Sequence, residues 1–154
     1  MLVNQILAML AMLATGVVYG TDVFHAIVVK KAATLSSDQA IADLIGHTHL
    51  IAGKKMPIIG ATAILSSLIL TAINYNTDIA IFFALTLIAL ISHVTIYIKI
   101  AKPINDRMSQ AALEKRTPTD IRQLQQLWDS VIIYRAALLT IAMIALTAGL
   151  SAVK

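Results

Sequence analysis

The residues of this chain best equipped for chemistry are its four histidines, His25, His47, His49 and His93, with the carboxylates and the arginine near them. Asp22 and His25 are three apart and Asp43 and His47 are four apart, so on a helix each pair projects from one face. Carboxylate and imidazole groups projecting from neighbouring helices hold metal ions in bundle proteins, and neutral imidazole also ligates haem iron. Asp22, His25, Asp43, His47, His49 and His93 are therefore a candidate ligand set for a haem or a transition metal, with the cofactor itself left open. The set is dispersed and contains no compact motif of the His-Glu-x-x-His kind.

Acid–base catalysis is the other use of such residues. His93, or His25 oriented by Asp22, is the candidate general base. Tyr97 stands four residues after His93 on the same face, which suits a proton relay or a substrate contact. Arg135 is the one charge in the last apolar run. Its guanidinium stays protonated and donates in a planar fork, a clamp for an anion or carbonyl, and its long stem can equally snorkel to the interface. Asp22 can equally be its structural partner. His47 and His49 are two apart and cannot face one point on a regular helix; beside Lys54 and Lys55 they also read as interfacial histidines. Trp128, seven before Arg135, is either an interfacial anchor or a wall for a flat ligand.

Four apolar runs must position these groups: residues 1–21 continuing past Asp22 and His25 to 29, then 56–73, 79–98 and 131–153. Roughly 20 residues at ~1.5 Å each cross ~30 Å of hydrocarbon. Within lipid the backbone must satisfy its own hydrogen bonds, so runs of this length are helices. The expected fold is all-α, an antiparallel transmembrane four-helix bundle in one domain spanning 1–154, with helices extended on the cytoplasmic side. Ser36, Ser37 and Asp38 supply caps for the second helix, whose early stripe is Ile41, Leu44, Ile45, Thr48 and Ile51. Pro57 is expected to kink it. Residues 74–78 form a tight turn, and 99–116, with Pro103, read as a charged link. The fourth helix is expected to start at Thr117-Pro118, with a stripe of Ile121, Leu124, Leu127, Trp128 and Val131. Gly16, Gly20 and Gly60 allow close helix approach within one chain or between copies, so a homo-oligomer is compatible.

Composition agrees. The chain is 58% hydrophobic and 13% charged, with a mean hydropathy of +0.82, against about 45–50% and about 25% in soluble domains. The bilayer is the partner this implies. The net charge of +4 does not point to nucleic acid, because the basic residues flank apolar runs. Cysteine is absent, which excludes disulfide and thiolate chemistry. The first basic residue is Lys30, so the pattern of a cleaved secretory signal is missing and the N-terminus is expected to be retained. Eleven basic residues gather at one end of the helices and only Lys154 at the other. The loaded end is therefore expected in the cytoplasm and both termini outward, in a bacterial inner membrane.

The order of several elements resembles one family. A glycine-bearing first helix (Gly16-Val17-Val18-Tyr19-Gly20) precedes Pro103-Ile104-Asn105 after the third apolar run, and Trp128 precedes Arg135 by seven. This layout is similar to that of the anthrone oxygenase-like family of small four-helix membrane proteins. The resemblance implies a functional set of Asn105, Trp128 and Arg135, and an activity that oxidises anthrones to anthraquinones. Members often place Asn or His between the Trp and the Arg; here the interval is Asp129-Ser130-Val131-Ile132-Ile133-Tyr134.

The expected function is a small membrane oxidoreductase, oxygenase-like, acting on a flat apolar phenol, quinone or polyketide in a pocket at the charged end. His93 or His25 would take the proton, Arg135 and Asn105 would stabilise the resulting oxyanion, and Trp128 and Tyr97 would touch substrate. A haem- or metal-binding protein for electron transfer or sensing, and a non-catalytic membrane accessory protein, are the alternatives.

Overall fold

The structure, a computed structural model, describes residues 2–152; Met1, Val153 and Lys154 lie outside the described residues, and with them the basic residue assigned to the far side. Four long helices account for nearly all of it: α1 (Leu2–Leu35), α2 (Asp38–Ile73), α3 (Ala80–Leu113) and α4 (Ile121–Ala152). Each is long and apolar enough to cross a membrane, and the chain is an integral membrane protein. At 32 to 36 residues each helix exceeds a bilayer, since ~20 residues suffice; the surplus lies at the charged end. Helix α1 packs on α2 and α4, and α3 packs on the same two, so α1 and α3 face each other across the diagonal.

Short connections set the antiparallel order. Ser37 is extended, and its hydroxyl accepts from the Ala40 amide at 3.2 Å, capping α2 as its position predicts. Arg122 of α4 ties this corner by donating to the Ala33 carbonyl at 2.9 Å, the Ser36 carbonyl, and Asp38 at 2.6 Å. It thereby caps the carbonyl end of α1 with a cation. At the opposite corner, Asn74 accepts from Asn4 at 3.0 Å and donates to the Leu70 carbonyl at 2.8 Å. Beyond α3, Glu114 is exposed, and hydrogen bonds from Arg116 and then Gln110 hold its carboxyl below the usual carboxylate range.

Two sequence expectations need correction here. Residues 99–116 are not a link: α3 runs on to Leu113. The residues Tyr97–Ala101 form a widened π turn just before Pro103, which opens the helix where the proline ring would otherwise crowd the carbonyl four residues back. The fourth helix begins at Ile121 rather than Thr117-Pro118. Pro118 instead opens a turn whose carbonyl receives the Ile121 amide, and Arg107 anchors Asp120 at 2.7 Å. Pro57 lies within α2, and the helix runs through it.

Large apolar side chains face outward as well as inward, unlike in a soluble bundle. Bulky apolar side chains such as Leu13, Ile58, Ile81 and Ile144 are each more than 60% exposed, whereas Ala8, Ala11, Ala63, Ala142, Thr15, Ser67 and Thr86 are fully enclosed. Large apolar residues outward, with small residues among the large ones between helices, suit a lipid solvent. Among the glycines, the close approaches are at Gly46 and Gly149. A Cβ on Gly46 would lie 2.7 Å from the Met108 carbonyl oxygen, and one on Gly149 2.9 Å from the Phe83 ring. Gly20 and Gly60 have nothing within 4 Å, and Gly16 only Met143 at 4.0 Å. Of the two settings left open for Gly16, Gly20 and Gly60, a close approach within the chain is not formed at these positions.

The core is layered. A far-end layer of Ala8, Leu70, Phe83 and Leu146 is followed by a middle one of Ala14, Ala63, Leu90 and Leu139. A third, at the charged end, holds Ile41, Ile45, Met108, Ile121 and Trp128. Between the last two layers the sequence inserts Asp22, His93 and Arg135, one from each of α1, α3 and α4.

Candidate functional site

Asp22 follows the helical series Ala8, Ala11, Thr15 on the inner face of α1, and Arg135 continues the series Trp128, Ile132 on α4. His93 does the same on α3 after Thr86 and Leu90. Their burial is thus dictated by phase, and their mutual pairing makes it tolerable. Asp22 Oδ2 lies 2.9 Å from His93 Nε2, and Arg135 Nη2 donates to Asp22 Oδ1 at 3.1 Å. All three residues are at most 6% exposed. Arg135 Nε and Nη2 also stand 3.3 and 3.2 Å from His93 Nε2.

The geometry restricts the protons. A guanidinium only donates, and a ring nitrogen either donates or accepts. Nε2 cannot donate to Asp22 and accept from Arg135 at once. Placing the proton on Nε2, directed at the Asp22 carboxylate, matches the shortest of the three contacts, 2.9 Å against 3.2 and 3.3 Å, and leaves the lone pair of His93 on Nδ1. Asp22 therefore holds the two partners in register, and its partner at the bundle centre is His93 rather than His25. The expectation of a structural Asp22–Arg135 pair is met at the same time.

A second cluster lies toward the charged end. The Trp128 ring packs against His25 and His49, with centroid separations of 5.1 and 5.3 Å. Tyr97 links the clusters: the Arg135 guanidinium carbon sits 5.5 Å from the centre of its ring, a cation–π arrangement. Tyr97 thus meets Arg135, and a Tyr97–His93 hydrogen bond is absent among the described residues. Trp128 Nε1, His49 Nε2, Asn105 Oδ1 and Gln125 Oε1 are buried without hydrogen-bond partners. Such atoms cost about 1–3 kcal/mol each.

The six-residue metal set is not assembled. His47 is exposed and bonded to its own turn, with Nδ1 2.7 Å from the Asp43 carbonyl and 3.7 Å from the Asp43 carboxylate. Among the described residues no three His, Asp or Glu side chains come close enough to share an ion. Asp43 and His47 leave the set because His47 and His49 point to opposite sides, as a spacing of two requires; His49 is the buried one. Asp22 and His93 are tied to Arg135, and His25 and His49 each lie against the Trp128 ring.

Outside these groups a cleft of about 320 Å³ opens between α2 and α3, lined by His49, Lys54, Tyr97, Lys102, Ser109 and Gln110 among others. One ring separates it from each cluster: Tyr97 from Arg135, and His49 from Trp128. Asn105 is buried on the same helix as Tyr97. Sequence reasoning missed Lys54 as a cleft residue, and it missed Gln125 and Asp129, which are buried and joined at 2.9 Å. Gln125 was detectable, three before Trp128 on the same face. No family model, curated protein or solved structure matches the chain.

Proposed function

We propose that this protein is a small integral membrane oxidoreductase of the anthrone oxygenase-like kind. In this reading it acts on a flat, apolar, phenolic substrate at its charged end. The observation that carries it is the buried Asp22–His93–Arg135 layer one ring away from a cleft. Ionisable groups inside membrane helices are costly and mark functional interiors. With Asp22 fixing its tautomer, the imidazole of His93 takes the carbon-bound or phenolic proton of the substrate. Arg135 faces the developing enolate; Asn105, twelve residues beyond His93 on the continuous α3 and so roughly 18 Å farther along its axis, lies too far away to share that role. The electron-rich carbanion then adds dioxygen; the hydroperoxide loses water and leaves the quinone. One dioxygen is consumed for each methylene converted to carbonyl, so the balance closes with no further oxidant.

The charged end lies in the cytoplasm of a bacterial cell, with both termini outward, on the charge asymmetry alone. The test of function is dioxygen uptake and anthraquinone absorbance with anthrone as substrate, in detergent, against a protein-free blank, with a metal determination on the same sample. Turnover that falls at least a hundredfold in His93→Gln supports the reading. A rate equal to the blank, or one untouched by His93→Gln, removes it.

A further inference from the structure

The cleft between α2 and α3 has its own chemistry. Its about 320 Å³ is at the lower end of the ~300–1,000 Å³ typical of small-molecule sites. Leu50, Leu113 and the Tyr97 ring give it apolar walls for a flat body. Two lysines reach it, but only one charge is uncompensated. Lys102 bonds Asp106 at 2.6 Å, whereas Lys54 has no carboxylate within 4 Å among the described residues. Deeper, His49 lines the cleft with 4% exposure, and its Nε2 is buried without a partner. A cation at the rim, an unpaired imidazole nitrogen behind it and apolar walls between them describe one ligand class.

We propose that this cleft binds a flat aromatic compound carrying an acidic substituent. Lys54 pairs with the carboxylate or phenolate, and His49 hydrogen-bonds a ring oxygen. The identification of this ligand as the substrate rests on the oxidoreductase reading; the binding itself does not. The acid group held at Lys54 stays at the cytoplasmic rim, and the body of the ligand extends along Tyr97 toward Arg135.

The test is calorimetric titration of the full chain in a non-ionic detergent with 1-hydroxy-2-naphthoate and with 1-naphthol. Trp128, the sole tryptophan, is followed by fluorescence alongside, since the His49 ring lies 5.3 Å from it. Saturable binding is expected, with the acid about fivefold tighter, the ratio an exposed ion pair of ~1 kcal/mol gives. Lys54→Gln should abolish that preference, and His49→Phe should weaken both probes about tenfold while retaining it. Affinities unchanged in both variants, or no saturable binding of either probe, overturn the proposal. Lys54 is exposed, so Lys54→Gln decides the matter even if His49→Phe does not fold. Binding without anthrone turnover keeps the cleft and discards the oxidoreductase. Turnover whose KM ignores both substitutions does the reverse.

Discussion

Replacing Asp22 by Asn removes the one negative charge from a layer in which Arg135 remains charged. The carboxylate serves both neighbours, at 2.9 Å to His93 and 3.1 Å to Arg135, and no side chain of the trio is more than 8% exposed. Water cannot replace it. Removing one partner of such a pair costs about 3–5 kcal/mol because the other is left buried and uncompensated. For a chain of this size, where each kcal/mol moves the midpoint about 2–4 °C, that is a fall of about 6–20 °C in Tm. Arg135→Met in the Asp22→Asn background should restore most of the loss, since no buried charge then remains. The assay is thermal unfolding in detergent, followed by far-ultraviolet circular dichroism and by the fluorescence of Trp128. A loss below about 1 kcal/mol for Asp22→Asn, or a double variant whose cost is the sum of the two single ones, refutes the coupling. The doubly substituted protein should be stable and inactive, which separates the fold from the chemistry.

Other substitutions test the packing and the topology. Gly46→Ala should destabilise by about 1–3 kcal/mol, because its Cβ would meet a backbone oxygen at 2.7 Å. Gly60→Ala, with open space around it, should be neutral or stabilise by up to ~1 kcal/mol in chemical unfolding. Arg122→Ala frees the Ala33 and Ser36 carbonyls and should speed hydrogen exchange at residues 33–40 by about five- to tenfold, a loss of ~1 kcal/mol local to that corner; unchanged exchange there would show that the clasp contributes nothing. Because the chain has no cysteine, Tyr75→Cys and Lys115→Cys each carry a single label site. An impermeant maleimide should modify Tyr75→Cys in intact cells and Lys115→Cys only after lysis, and the opposite pattern would invert the topology.

The four helices and their antiparallel order were readable because lipid imposes one rule on every long apolar run. Ser37 as a cap was readable for a similarly local reason. The charged-end extensions were harder. Residues 99–116 look like a loop by charge and by Pro103, yet they continue α3, because the buried series Ala101, Ile104, Met108, Ala111 holds its phase through polar neighbours. The stripe expected on α2 split for a related reason. Ile41, Ile45 and His49 face inward at steps of four, while Leu44 and Ile51 are 73% and 57% exposed. On α4, Leu127 likewise turns outward and Gln125 inward. At the site, spacing brought out Asp22, His93 and Arg135 individually, and it could pair Asp22 with His25 three residues away. The pairing that exists spans 71 residues between Asp22 and His93. Spacing along a chain carries no information about contacts across a bundle diagonal.

Three of the four helices carry a π turn in the charged half: His25–Val29, Ile41–Ile45 and Tyr97–Ala101. Each turn holds one residue more than the regular helix needs, and one residue is worth about 100° of rotation. Deleting a single residue there would leave a continuous helix: the widened turn closes to a regular one, and what lies beyond it keeps nearly the same facing. In α3 the segment beyond carries Asn105, Ser109 and Gln110; in α1 it carries Lys30 and Ala33. The membrane half and the charged half can therefore keep their mutual facing while the turn between them gains or loses a residue in evolution. Relatives should differ from this chain by single-residue gaps in mid-helix with the contacts on either side retained, where length differences are ordinarily least expected.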